Sequence, residues 1–271
     1  MDVFAKFNVV LSGPEDAPPL VFGHGFGCDQ HMWRFVAPEF ERDFRVVLYD
    51  MPGTGGSAPQ AYDAVRHSDL EGYADDVLEI VEALDLAPVA FVGHSVTAMI
   101  GALAARRAPQ LFDKLVMIGP SPCYVDDEGY RGGFAESDIH ELLESLDANY
   151  LGWSATMAPV IMGNGDRPEL GAELTESFCR MNPEVARSFA RVTFLSDVRD
   201  VLREVTTPTL ALQCTEDVIA PVEVGEYVVA EMPDARLVML DATGHCPHLS
   251  APEPTIAAIA PFLRGRTPQP A

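Results

Sequence analysis

Short apolar runs of strand length alternate with helix-length amphipathic segments along most of this chain, and that alternation restricts its fold more than any other feature. PLVFGHG (19–25), FRVVLYD (44–50), PVAFVGHS (88–95), KLVMIGP (114–120), PTLALQCTED (208–217) and ARLVMLDATGH (235–245) read as strands. Between them, 69–86 places Tyr73, Val77, Ile80, Val81 and Leu84 at helical spacing. The segments 96–109, 221–232 and 254–263 are further helices, the first ended by Pro109. Strands that alternate with helices and are apolar almost throughout predict a mostly parallel central sheet flanked by helices on both faces.

The alternation fails between about 124 and 196. There 136–153, 154–164, 167–181 and 183–196 read as four consecutive helices, punctuated by Asn164, Gly165, Pro168 and Pro183. This block enters after one strand and leaves before another. It is expected to be a helical lid at 124–196 inserted into an α/β core formed by 1–123 and 197–271.

Ligands and catalytic groups of open α/β sheets gather at the carboxyl ends of the strands. Three predicted strands end in Ser95, Asp217 and His245, and the chain order Ser, Asp, His is that of an α/β-hydrolase triad. A serine hydroxyl is a weak nucleophile until an imidazole takes its proton, and a carboxylate on the far ring nitrogen fixes the imidazole tautomer. Each residue alone reads as a cap, a loop carboxylate or a packed histidine; their coincidence at three strand ends points to chemistry. His248, Glu216 and Asp241 compete for the same roles. His245 directly follows the glycine that ends its strand, which leaves His248 a packing or pocket role. Asp217 precedes the turn into the next helix, and its short side chain suits a fixed hydrogen bond better than Glu216; Asp241 lies within the preceding strand. Val96 N–H, next to the nucleophile, and Phe26 N–H, in the loop HGFG (24–27), are the expected oxyanion donors.

The elbow motif Gly-x-Ser-x-Gly is imperfect: Gly93 and Ser95 fit, but Thr97 stands where the second glycine is expected. The small residues that follow, Ala98, Gly101, Ala102, Ala104 and Ala105, leave room for it. Thr97 is expected to be partly buried or bonded back to its helix. GTGGS (53–57) lacks the lysine of a phosphate loop and the spacing of a dinucleotide site, and reads as a turn.

A net charge of −23 argues against nucleic acid and anionic membranes as partners. No apolar stretch approaches the ~20 residues of a membrane span. The opening MDVFAKFNVVLSGPED lacks a signal-peptide layout, so a cytoplasmic location is expected. The five widely spaced cysteines read as reduced thiols, with no disulfide framework or metal site, and no cofactor is expected.

HGFGCDQHMW (24–33), LDLAPVAFVGHSVTAMIG (84–101), KLVMIGPSPCYVDDEGYRGGF (114–134), TPTLALQCTEDVIAPVEVGEY (207–227) and GHCPHLS (244–250) together resemble the RsbQ-like α/β-hydrolases. That family comprises a bacterial energy-stress regulator and its plant relatives, the karrikin and strigolactone receptors. The resemblance spans nearly the whole chain. It implies an α/β-hydrolase fold whose four-helix lid covers a hydrophobic pocket, with the three residues at its floor. Phe134, Trp153, Phe189 and Phe194 join Phe26 and Val96 as candidates for the lining; packing within the lid is the other reading of each. The implied activity is that of a serine hydrolase on a small hydrophobic ester or lactone, with a butenolide as one type, in a signalling setting. The alternative is a ligand sensor that binds a PP2C-type phosphatase with a sensory domain, or another protein, with hydrolysis secondary. Carbon–carbon bond hydrolysis and cofactor-free peroxidase chemistry use the same triad on this fold. Dehalogenation is disfavoured because it wants a carboxylate at position 95.

Overall fold

The computed structural model describes residues 1–265. Its core is a sheet of β1 (Val10–Ser12), β2 (Pro19–Gly23), β3 (Arg45–Leu48), β4 (Val89–His94), β5 (Phe112–Ile118), β6 (Thr209–Glu216) and β7 (Ala235–Thr243). The spatial order is β1-β3-β2-β4-β5-β6-β7. β1 runs antiparallel to β3, and every other neighbouring pair is parallel. The helices are α1 (Val3–Phe7), α2 (Leu70–Ala83), α3 (Val96–Arg107), α4 (Glu136–Ala148), α5 (Tyr150–Met162), α6 (Pro168–Arg180), α7 (Pro183–Phe194), α8 (Val222–Glu231), α9 (Pro247–Ser250) and α10 (Pro252–Leu263).

All six residues of the central strand β4 are buried. Successive side chains of a strand point to opposite faces, so both faces of the sheet are covered at this point. Helix α3 lies very close to the strand that precedes it: a Cβ on Gly101 would sit 2.7 Å from the Phe91 ring. The short edge strand β1 has no counterpart in the sequence reading. Three residues, of which Val10 is half exposed, are too few to display a period.

Helices α4 to α7 occupy the interruption between β5 and β6. The two chain segments at their base run side by side: Cys123 and Asp197 form an antiparallel bridge, and Val198 N–H donates to Pro122 O at 2.8 Å. The helix expected over 136–153 breaks at Asn149, whose backbone leaves the helical region (φ −155°, ψ 84°). Its side-chain oxygen accepts from Gly152 N–H at 3.1 Å and starts α5 instead.

Candidate active site

The parallel strands bring their carboxyl ends to one edge of the sheet, and the predicted residues meet there. Ser95 follows β4, Asp217 follows β6, and His245 lies two residues beyond β7. His245 Nε2 is 2.8 Å from Ser95 Oγ, and His245 Nδ1 is 2.7 Å from Asp217 Oδ2. A carboxylate can only accept, so the imidazole proton sits on Nδ1 and Nε2 is free to accept from the serine hydroxyl. The other carboxylate oxygen accepts from Ile219 N–H at 2.8 Å and Ala220 N–H at 3.2 Å. Burial alone would raise the Asp217 carboxyl; the charge and hydrogen bond of His245 and these two amides overcome it and hold the group below the usual range.

Ser95 has φ 57° and ψ −123°, a strained conformation for a residue with a side chain. Its N–H is held by Ile118 O at 2.8 Å, across the register that pairs His94 with Ile118. Gly93 makes the sharp turn possible, since a Cβ there would meet Thr97 O at 2.5 Å. Thr97 is fully buried, more than expected. Its hydroxyl accepts from His94 N–H at 2.9 Å and has Gly23 O at 2.8 Å and His94 O at 2.9 Å as acceptors. The threonine in place of glycine thus ties the elbow to the end of β2. Val96 opens α3, where a backbone N–H has no acceptor within the helix. Phe26 sits in the turn closed by Cys28 N–H to Gly25 O at 3.3 Å. A Cβ on Gly25 would lie 2.5 Å from His94 Nδ1, so this loop presses against the elbow.

The competing residues have other partners. His248 is fully buried, with ring centroids 4.5 Å from His94 and 4.7 Å from Trp33, a packing position. Glu216 accepts from the Thr243 hydroxyl at 2.9 Å, and Asp241 is exposed. The GTGGS segment is a turn, braced by Asp50, which accepts from Gly56 N–H at 2.8 Å.

A narrow cavity of about 30 Å³ lies over Ser95 and His245, with room for roughly two water molecules. Phe26 and Phe194 line it, together with Phe178, Leu174, Tyr124 and Thr193, which the sequence reading missed. Four expected lining residues are not among its walls, and of these Val96 heads α3 beside Ser95. Trp153 lies one layer back, stacked on Phe178 at 5.9 Å and 9°. Phe189 is packed between Phe26 (5.7 Å) and Tyr73 (4.7 Å). Phe134 is pinned at the lid base, its N–H on Tyr124 O at 3.1 Å and its carbonyl accepting from Asp126 N–H at 2.8 Å.

The lid also holds the histidine loop. His245 N–H donates to Ile161 O at 2.9 Å, and Asn164 Nδ2 bridges Met162 O (2.9 Å) and Thr243 O (2.8 Å). Gly244 permits this contact with φ 91°; a Cβ there would meet Met162 O at 1.8 Å.

Among the described residues, His94, Cys246 and His248 are the one grouping dense enough to consider for a metal, their ligand atoms all within 4.8 Å of one another. Zinc bonds of 2.0–2.3 Å bring ligand atoms to roughly 3.3–3.8 Å. In this trio His94 Nε2 already donates to His245 O at 2.7 Å, which takes that nitrogen out of any ligand set. Burial, then the neighbouring His245, lowers His94 to about 3; burial, then His94, also puts His248 well below its ordinary value. These are neutral rings packed against each other. The five cysteines are all unpaired, and only Cys179 is exposed. No helix among the described residues is long and apolar enough to cross a membrane.

Known proteins are similar to this chain over most of its length. The sequence is 39% identical to strigolactone esterase D14 of Arabidopsis thaliana, covering 99% of this chain and 98% of that protein. It is 39% identical to the karrikin insensitive 2 receptor IA of Petunia hybrida, covering 89% of this chain and 88% of the receptor. A hydrolase structure from Oleispira antarctica superposes with a TM-score of 0.95 at 39% identity, over 98% of this chain and 97% of its own. Residues 20–258 match the alpha/beta hydrolase family, and with the strand order and strand-end residues described above, the chain belongs to that family.

Proposed function

We propose that this protein is a serine hydrolase acting on a small, mostly apolar ester or lactone. The observation that carries the reading is the continuous hydrogen-bonded chain Asp217–His245–Ser95 opening onto a narrow apolar cavity. In the reaction, Ser95 Oγ attacks the carbonyl carbon while His245 Nε2 takes the hydroxyl proton. Asp217 holds the imidazole in the required tautomer and stabilises it as an imidazolium. The N–H groups of Val96 and Phe26 receive the developing oxyanion. His245 then returns its proton to the leaving oxygen, and a water activated by the same imidazole releases the acid from Ser95. The small cavity and its aromatic walls favour short or compact substrates; a butenolide lactone has the right class of chemistry. Hydrolysis of p-nitrophenyl butyrate by wild type and by Ser95→Ala tests the reading, which fails if the two rates are equal.

A second reading is a ligand-sensing regulator that carries its message through the lid to a protein partner, a PP2C-type phosphatase being one candidate. The hydrogen bonds from the end of α5 to the His245 loop favour it, because events at the floor and the position of the lid share a backbone. The identity to a karrikin receptor supports it as well. A pull-down with and without ligand separates the readings: a partner retained by Ser95→Ala makes turnover dispensable for contact.

A further inference from the structure

Several hydroxyls on the helices of this protein, buried in Ser154 and Thr255 and more open in Thr156 and Thr175, are satisfied in the same way, and Thr193 is not. Ser154, Thr156, Thr175 and Thr255 each donate to the carbonyl one turn earlier, at 2.8, 3.0, 2.9 and 2.9 Å. That back-bond is the default way for a helical threonine to satisfy itself. Thr193, in the last turn of α7, is 1% exposed, and its Oγ1 has no hydrogen-bond partner. It also lines the cavity above Ser95, together with Phe26, Tyr124, Leu174, Phe178 and Phe194. A buried hydroxyl without a partner is unfavourable, and such groups are rare enough to require a reason.

We infer that Thr193 Oγ1 is a polar subsite for substrate, a hydrogen-bonding position in a mostly apolar cavity that selects esters or lactones carrying a second oxygen near the scissile carbonyl. The inference rests on the reading of Ser95 as the nucleophile, and it names the substrate class that reading leaves open. The hydroxyl can donate to a carbonyl or ether oxygen and accept from a hydroxyl. The cavity is so small that this second oxygen must lie only a few bonds from the reacting carbon. A substrate that is hydrocarbon at that position leaves the hydroxyl buried and unpaired in the complex, which is how a polar subsite discriminates.

Two substrates of the same shape test this: p-nitrophenyl butyrate and p-nitrophenyl methoxyacetate, which differ by one CH₂-to-oxygen replacement. The quantity read is the ratio of their kcat/KM values within each variant, so the intrinsic reactivity of each ester cancels. Thr193→Val should shift the ratio toward butyrate by about 2- to 12-fold, the span of one net hydrogen bond. Thr193→Ser, which keeps a hydroxyl, should restore it. An unchanged ratio in Thr193→Val overturns the subsite. Thermal unfolding gives an independent arm that needs no turnover. Thr255→Val loses a back-bond and should melt lower than wild type, whereas Thr193→Val loses none and should melt at or above it. A drop in Thr193→Val equal to that of Thr255→Val means the hydroxyl is used within the fold and also overturns the proposal. If Ser95→Ala hydrolyses both esters at the wild-type rate, nucleophile and subsite fall together. If Ser95→Ala is inactive and only the ratio fails to move, the subsite alone falls.

Discussion

The floor of the cavity and its cover are built by different rules. On the floor, position comes from the backbone: three strand ends, a serine at φ 57°, and polar atoms bonded in an unbroken chain from two amides through Asp217 and His245 to Ser95. In the cover, position comes from side chains. Phe178 and Trp153 stack, Phe26 meets four aromatic rings at 5.7–6.3 Å, and the carbonyls at the end of α5 reach down to one loop. Under the proposed function, chemistry is fixed by sheet register and selectivity by helix packing, and the two can vary separately. Substitutions on the floor should remove activity and spare stability; substitutions in the cover should do the reverse.

Ser95→Ala gives the largest expected effect and the sharpest break. It removes one side-chain contact, so the unfolding free energy should stay within about 1 kcal/mol of wild type. Activity on p-nitrophenyl butyrate should fall by about 10³-fold or more. A large loss of stability together with activity would mean the strained elbow belongs to the folding core, and the division would fail.

Asp217→Asn comes next. The amide keeps the shape but reverses the hydrogen-bond logic with His245, and kcat should fall by roughly 10²- to 10⁴-fold. This residue also carries a pH signature. The folded carboxyl is held below the ordinary value, so its contribution to stability is complete above the unfolded pKa of about 3.9 and is lost as pH falls through the lower folded value. Urea unfolding curves between pH 5 and pH 3 should therefore show Asp217→Asn losing less stability than wild type. Parallel losses would mean that the carboxylate is not stabilised by its partners.

The same division explains how much could be read from the chain alone. A buried parallel strand must be an apolar run, and whatever follows its last apolar residue stands at the sheet edge; Ser95, Asp217 and His245 are legible for that reason. Even Thr97, an irregularity in the motif, is a floor residue packed against the small residues Gly23 and Gly93. The lid offered no such rule. Its helices are amphipathic, but which aromatic faces the cavity and which stands one layer behind depends on how each helix is rotated. Trp153 and Phe189 are buried as aromatics should be, yet Phe178 and Phe26 stand between them and the ligand space. Phe134 is held off by backbone hydrogen bonds that no side-chain pattern announces. The break at Asn149 was hidden because an asparagine inside an amphipathic stretch looks the same whether it interrupts a helix or decorates it.

Phe178→Ala tests the cover from its centre. The ring contacts Phe26 and Trp153, and Gly27 approaches it so closely that a Cβ there would lie 2.3 Å away. Its removal should cost about 3–5 kcal/mol in a chemical-denaturation experiment. It also opens the cavity, so kcat/KM for p-nitrophenyl octanoate relative to the acetate should rise by about tenfold. Unchanged chain-length preference would show that another wall sets the size limit.

Asn149→Ala is the smallest change and the most searching for the link between the two regions. The side chain caps α5 at its first turn, and losing a cap of this kind costs about 1 kcal/mol. The far end of the same helix, 12 residues on, holds His245 N–H through Ile161 O. Fraying at a helix start is confined to the turn concerned, while the end of α5 is fastened separately by Asn164, which bridges Met162 O and Thr243 O. The unfolding free energy should therefore fall by about 1 kcal/mol, with kcat unchanged well below the melting temperature. A fall in kcat at a temperature where the variant is fully folded would mean that α5 moves as a rigid rod. The cover would then act directly on the imidazole, and the separation of floor from lid would hold for shape but not for motion.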